Sequence, residues 1–234
     1  MENTYTIITG GSKGIGLGTA KGIIKNGGNV CIVARDKKVL KSAVKELEGL
    51  KINKKQVVTC FDCDTTKEKD FKKELKKYID TYGTPDYLIN CVGYAYPQYL
   101  HKLKLDDFKD NMKINYYGQL VPTLQLLPYF RKDKKGHIVF CSSVSGFLGV
   151  LGYATYSPTK FAIAGLAETL RNELIEENVT FSIVYPPDTK TPGFDQENKT
   201  KPKELLIMSE TAGLLSAEKV GEKIIKGMKK KKFY

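Results

Sequence analysis

The stretch YATYSPTK places Tyr156 four residues before Lys160, with a serine pair, Ser142 and Ser143, a short way upstream. Residues at i and i+4 share one helix face. A phenol with a pKa of about 10 holds its proton firmly near neutrality. A positive charge beside it lowers that pKa and lets the phenol give or take a proton. A serine hydroxyl near the same atom can hydrogen-bond a substrate oxygen and stabilise negative charge developing there. Taken alone, the tyrosine and lysine are also an ordinary helix pair, so the chemical reading needs further residues at fixed places.

A second group of residues supplies them. Thr9-Gly10-Gly11-Ser12-Lys13-Gly14-Ile15-Gly16 follows a short apolar run and opens a helical pattern. Its glycines fall at Gly10, Gly14 and Gly16, which is not G-x-G-x-x-G, yet the physics is shared. Glycines permit a tight turn and close backbone approach, and the helix N-terminus offers free N–H groups and a positive dipole to a pyrophosphate. The next apolar run ends Val33-Ala34-Arg35-Asp36. An acid there can hold a ribose 2′-hydroxyl, which would favour NAD. Asp36, however, stands where it caps the following helix. Arg35 at the strand end and Lys13 in the turn are two cations that suit a 2′-phosphate, so NADPH is the expected cofactor.

The elements that must carry these residues alternate along the chain. TYTIIT, NVCIVA, QVVTCF, YLINCV, HIVFCS and TFSIVY read as six strands. Helical patterns lie between them, including GIGLGTAKGIIKN, DKKVLKSAVKELEGL, EKDFKKELKKYIDTY and long helices over 105–130 and 153–177. Near-continuous Val/Ile runs between helices indicate strands buried on both faces, hence a parallel sheet with right-handed crossovers. The expected fold is α/β: one doubly wound parallel-sheet domain over 1–234, with three layers. Residues 186–216 form a long excursion rich in Pro, Thr and Lys with one apolar patch, ELLIM, and read as a lid over a substrate.

Composition narrows the class. The chain has 234 residues, 41% hydrophobic and 27% charged, with a net charge of +12. No apolar run reaches the 18 or so residues that span a bilayer, and MENTYTIITG has neither the basic nor the apolar region of a signal peptide. The charge comes mostly from lysine, without the regular pairing of aromatics and basics that marks a nucleic-acid surface. Five cysteines, an odd number set in or beside apolar runs, read as reduced and buried. Cys60 and Cys63 face opposite sides of a strand end and no second pair exists, so no metal is expected. His101 and His137 stand alone and read as structural.

With NCVG (90–93), Asn115 in INYYG and Ser143 in SSVSG added to the glycine-rich turn and Tyr156-x-x-x-Lys160, the chain resembles the short-chain dehydrogenase/reductase family over essentially its whole length. Each motif is weak alone; in this order and at these intervals they are specific. The resemblance implies a Rossmann domain that exchanges hydride with a carbonyl. It also implies a catalytic set of Asn115, Ser143, Tyr156 and Lys160. In the family the serine stands thirteen residues before the tyrosine, which selects Ser143, and Asn115 helps hold a water of the proton relay. Cofactor contacts are implied from Gly10, Ser12, Lys13, Gly14, Ile15 and Gly16 in the turn, and from Arg35 after the second strand. Asp62 (toward the adenine), Asn90, Gly93, Pro186 and Thr189 complete them, with Tyr156 and Lys160.

A narrower likeness follows strand six. YPPDTKTPGFDQENKTKP (185–202) replaces the usual Pro-Gly and, with YSPTKFAIAGLAETLRNEL, is similar to members that reduce a 3-keto sphingoid base with NADPH. An alkyl chain needs an apolar groove, for which Phe147, Leu148, Val150, Leu151, Phe194 and ELLIM are available. A cationic amine could meet Asp188, Asp195 or Glu197. Another lipid carbonyl, such as a steroid or 3-oxoacyl group, is the enzyme alternative; an NADPH-binding sensor or scaffold is the non-enzyme one, disfavoured by the complete catalytic set. The family implies homodimers or homotetramers through the long fourth and fifth helices. Such members carry membrane-associated apolar segments, so the cytosolic face of the endoplasmic reticulum is implied; without those segments, a shortened chain or a cytoplasmic one is the alternative. Lys231-Lys232-Phe233-Tyr234 matches a K-K-x-x return address. Lys226 and Lys229–Lys232, beside Ile224, Ile225 and Met228, could present a basic helix to anionic lipid.

Overall fold

Six parallel strands lie in the order β3-β2-β1-β4-β5-β6, from β1 (Tyr5–Thr9), β2 (Asn29–Ala34) and β3 (Val58–Asp62) to β4 (Tyr87–Asn90), β5 (Gly136–Cys141) and β6 (Val179–Val184). The computed structural model describes residues 1–234, except for the side chain of Ala212. Alternation along each strand divides the core. Ile7, Val33, Leu88 and Phe140 face one side with Phe71, Leu126, Phe130 and Ile163. Ile8, Ile32, Ile89 and Val139 face the other with Ile23, Leu40, Ile224 and Met228. Strands wetted on neither face must be apolar at every position, which is why the sequence showed continuous Val/Ile runs. The sheet and its two helical layers are the expected architecture.

On the first side lie α3 (Glu68–Tyr82), α5 (Gly118–Asp133) and α6 (Ser157–Glu173); on the second lie α1 (Gly14–Lys25), α2 (Lys37–Glu48) and α9 (Ala217–Lys229). Asp36 caps α2 as expected, accepting from the N–H groups of Lys38 and Val39 at 3.0 and 3.1 Å. The helices α1 and α9 touch through glycine: a Cβ on Gly221 would lie 2.7 Å from the Thr19 nitrogen. That contact uses the apolar face of α9, where Ile224, Ile225 and Met228 are buried. Those three residues are core, so what α9 presents outward is its lysines together with Glu218 and Glu222.

Two long helices expected from periodicity are shorter in fact. The run over 105–130 is α4 (Leu105–Asn111), a π-helical segment (Met112–Tyr117) and α5. The second helix begins at Ser157, with Tyr156 as its N-cap, and ends at Glu173 before a 3₁₀ turn. Residues 186–216 are ordered as β7 (Thr189–Lys190), α7 (Pro192–Glu197), α8 (Lys203–Ala212) and β8 (Leu215–Ser216), with β7 and β8 paired in parallel.

The C-terminal residues fold back on the sheet edge. The Ile183 N–H donates to the Phe233 carbonyl at 2.7 Å, and the Ser182 hydroxyl donates to that of Lys232. Phe233 is buried with the Arg171 guanidinium 4.5 Å over its ring. Of the expected K-K-x-x residues, Phe233 is packed here, while Lys231, Lys232 and Tyr234 keep exposed side chains.

His137 lies under this edge, its ring nitrogens 2.7 Å from the Thr180 hydroxyl and 2.9 Å from that of Ser182. Burial, aided by Lys231, lowers its pKa to about 4 from 6.5. A neutral His in the fold that protonates freely when unfolded contributes stability above pH 6.5 and loses it as pH falls toward 4. Urea unfolding across that window should show stability falling with acid, and His137→Gln should remove the histidine share of the fall.

Candidate active site

At the carboxyl end of β1 the chain turns through Gly10, whose φ is +69°; a Cβ there would stand 2.9 Å from the carbonyl carbon and oxygen of Cys91. Both conditions admit only glycine. The turn delivers α1, whose N-cap Lys13 makes no side-chain cap and whose first turn holds no acid. Its N–H groups and dipole are left for an anion. From here a groove of about 430 Å³ crosses the strand ends between β1 and β4, lined by Gly10, Ser12, Lys13, Gly14, Ile15 and Gly16, and by Arg35 and Gly93 farther on. This is the switch point at which open α/β sheets bind nucleotides.

Four expected contacts lie elsewhere. Asp62 ends β3 just outside the groove and pairs with Lys37 at 3.9 Å. Asn90 is buried beneath the floor: its amide oxygen accepts from the Thr9 hydroxyl at 3.2 Å and its nitrogen donates to that of Thr123 at 3.0 Å. It ties β1 and β4 to α5 rather than facing a ligand. Pro186 and Thr189 line the adjoining cavity. The wall near Asp62 is instead Cys63, Asp64, Thr65 and Thr66, which sequence reading did not name; their position just beyond the end of a strand was the available signal. Burial pushes the Asp64 carboxyl up, but hydrogen bonds from Thr66, with Arg35 nearby, hold it below the usual range.

Beyond Gly93 the chemical residues converge. Lys160 is buried, and its ammonium donates to the Cys141 carbonyl at 2.8 Å while lying 5.4 Å from the Tyr156 ring centre. A Cβ on Gly93 would stand 3.3 Å from both the Lys160 Nζ and the Asn115 Oδ1. Asn115 sits on the π-helical segment, a distortion common at functional sites. Its amide donates to the Tyr94 carbonyl and the Thr159 hydroxyl, both at 3.0 Å, and accepts from the Tyr94 N–H at 2.9 Å. With that amide committed, a water held at Asn115 would sit on its main chain. The serine pair divides its work: both line the cavity, but Ser142 donates to the Lys160 carbonyl at 3.0 Å, whereas Ser143 accepts from the Ser145 N–H at 3.2 Å and keeps its own proton for a partner in the cavity.

The phenol of Tyr156 is pushed up, chiefly by burial, with the Ser143 bond opposing and the carboxylates of Glu197 and Asp188 adding to the rise. Burial also lowers the Lys160 ammonium. Burial dominates the phenol in this geometry, in which the Lys160 ammonium lies beside the ring and donates one bond to the Cys141 carbonyl. Tyr156 therefore rests protonated, the state required of an acid.

A cavity of about 370 Å³ opens over Tyr156, Ser143 and Lys160. Phe194 and Asp188 line it as expected, with Val150, Leu205 and Met208; Phe147 and Leu151 do not. Phe147 packs edge-on against Tyr185, and Leu151 faces a separate hollow beside Leu100. Asp195 is exposed on the outer side of α7 and does not line the cavity, whereas Glu197 does. Glu197 accepts from the Tyr153 hydroxyl at 3.3 Å and pairs with Lys201 at 3.2 Å. Lys201 is fully enclosed, 4.0 Å from the Phe194 ring centre and 4.0 Å from Asp188. Nothing in a lysine-rich stretch distinguished this lysine from its solvated neighbours.

A family model described as short chain dehydrogenase matches residues 4–202. The 3-dehydrosphinganine reductase of Danio rerio is 39% identical over 227 residues, which are 97% of this chain and 68% of that protein. The 3-ketodihydrosphingosine reductases of Bos taurus and Dictyostelium discoideum are 38% and 36% identical, over 97% and 98% of this chain and 68% and 73% of theirs. Among solved structures, the apo form of LigD from Sphingobium sp. strain SYK-6 superposes with a TM-score of 0.84 at 25% identity, covering 100% of this chain and 88% of that one.

Tyr156→Phe keeps the ring and removes the proton. Steady-state assays should show kcat lowered by about 10²–10⁴, with nucleotide affinity in calorimetry little changed. Near-normal turnover would remove Tyr156 from the reaction.

Proposed function

Because the chain belongs to the short-chain dehydrogenase family, an oxidoreductase family working with a nicotinamide nucleotide, we propose that it reduces a 3-keto sphingoid base with NADPH, as the names of its relatives describe for them. The carrying observation is the cavity: Tyr156 and Ser143 at one end, apolar Val150, Phe194, Leu205 and Met208 along it, and the carboxylates of Asp188 and Glu197 in its wall. When bound, the nicotinamide supplies the hydride. Ser143 holds the ketone oxygen, and Tyr156 delivers the proton as negative charge develops there. Lys160, one turn on, steadies the charge that Tyr156 leaves behind.

Asp188 and Glu197 set two carboxylates in the cavity, with Lys201 paired behind them and Lys160 at the reacting end. A cationic amine next to the ketone finds a charge-assisted hydrogen-bond acceptor in either carboxylate. A steroid or 3-oxoacyl group offers no such charge, which favours the amino ketone over them. The intact tetrad counts against a sensor or scaffold.

For the cofactor, Lys13 and Arg35 support a 2′-phosphate, while Asp36 is occupied as a helix cap. Exposed Leu105, Tyr117 and Leu124 on the α4–α5 face support a homodimer or homotetramer. Residence at the cytosolic face of the endoplasmic reticulum through peripheral contact completes the proposal. No helix among the described residues is long and apolar enough to cross a membrane, and the exposed lysines of α9 and the residues after it offer electrostatic attraction alone.

NADPH oxidation with 3-ketodihydrosphingosine should exceed that with steroid or 3-oxoacyl ketones; equal or slower turnover overturns the substrate. Arg35→Ala should raise KM for NADPH far more than for NADH, and equal effects remove Arg35 from the phosphate site. Asp188→Asn should raise KM for the free-amine substrate by roughly tenfold, the scale of one charge-assisted hydrogen bond, and leave a neutral ketone unaffected.

A further inference from the structure

We propose that Cys91 and Cys141 form an oxidation site, closing to an intramolecular disulfide that joins the ends of β4 and β5 beneath the catalytic residues. The strands are neighbours in register, with Ile89 opposite Val139 and Asn90 opposite Phe140, so the next positions along are Cys91 and Cys141. Side chains two apart share a sheet face. Ile89 and Val139 both belong to the α1–α9 side of the core, and Cys91 packs against that side; the two sulfurs therefore point the same way. Adjacent strands lie about 4.8 Å apart, inside the roughly 4.4–6.8 Å that a disulfide spans between Cα atoms.

The other thiols lack this relation. Cys31 stands opposite Thr59, and Cys60 opposite Ile32, so those two are one position out of step and face opposite sides. Cys63 is buried beyond the end of β3. Among the described residues, Cys91 and Cys141 are also the cysteines that line both the groove and the cavity. Small solutes entering the active site reach them.

The site has a built-in nucleophile. A hydrogen bond from Cys91, with Lys160 helping and burial opposing, holds the Cys141 thiol below its ordinary pKa, while the same bond and burial hold Cys91 above it. Hydrogen peroxide is the oxidant. The Cys141 thiolate attacks one peroxide oxygen, the O–O bond breaks, a sulfenic acid forms, and the departing hydroxide takes up the proton that the Cys141 thiol released and leaves as water. The Cys91 sulfur then attacks the Cys141 sulfur, the S–O bond breaks, and hydroxide leaves with the Cys91 proton as a second water. Two thiols lose two electrons to one peroxide.

Closure acts directly on the catalytic lysine, whose ammonium is hydrogen-bonded to the carbonyl of Cys141 itself. Pulling the Cys141 sulfur into a bond of about 2.05 Å with a fixed dihedral re-aims the residue whose carbonyl anchors Lys160, and misplacement on the ångström scale at such a site costs about a hundredfold in rate. The proposal needs no particular ketone.

The test uses the whole protein and hydrogen peroxide. After treatment, remaining thiols are blocked with N-ethylmaleimide and the non-reduced digest is mapped by mass spectrometry. Free thiols should fall from five to three, with a Cys91–Cys141 peptide two hydrogens lighter than the separate pair. Saturating NADP⁺ should slow the link. Activity should fall in step with it and return with dithiothreitol. Cys91→Ser and Cys141→Ser should each abolish the link and bring the ratio of treated to untreated activity to about one, whereas Cys60→Ser keeps both. A sulfenic or sulfinic acid without a link, a link between other cysteines, or unmodified thiols after peroxide would overturn the proposal.

Discussion

A buried ammonium must find an oxygen, and the site is arranged around that requirement. Lys160 is 4% exposed and donates to the Cys141 carbonyl at the end of β5. The bond joins α6 to the sheet and fixes the rotation of the helix, so Tyr156 one turn earlier faces the cavity. Neighbouring residues serve the same join. Ser142 donates to the Lys160 carbonyl, and a side chain on Gly146 would come within 3.0 Å of that oxygen. Gly93 leaves room where the ammonium passes Asn115. Truncating the lysine would remove a buried charge and leave the Cys141 carbonyl with the Gln119 amide, 3.0 Å away, as its remaining side-chain donor.

Much of this was legible in the sequence because it depends on period and spacing. Strands buried on both faces require unbroken apolar runs, and the six runs became the six strands. The glycine positions followed from the close approach of the first turn to the end of β4. What was not legible depends on long-range company. Asn90 reads as a binding residue until Thr9 and Thr123 are seen to use its amide. The interruption of 105–130 by a π-helical segment leaves the hydrophobic pattern intact, so periodicity cannot detect it. Ser142 and Ser143 differ only in which partner the fold brings to each.

The segment after β6 shows the same limit more sharply. Its composition, rich in lysine, proline and threonine, suggests an open loop. The structure builds it from two short helices and a parallel pair of strands, held by Lys201 enclosed among Phe194, Glu197 and Ser209. A lysine with no exposed side-chain surface needs partners for its charge, and the acids that pair with Lys201 line the cavity. Order in the segment and the charge of the cavity are thus one arrangement: the ion pairs that fold the cover also set the electrostatic character of the space beneath it.

The contact between α1 and α9 has a consequence for how the protein is made. Residues 14–25 and 217–229 are separated by nearly the whole chain, yet they pack against each other on one face of the central strands. During synthesis the first βαβ unit leaves the ribosome with that face uncovered, and the glycine-rich turn stays without its supporting layer until the last helix emerges. Local pairings form first and distant ones later. The nucleotide groove, encoded early, is thus the part of the molecule whose maturation waits on the emergence of α9, and a nascent chain halted before α9 exposes Ile8, Ile23 and Ile32 to whatever chaperone attends it.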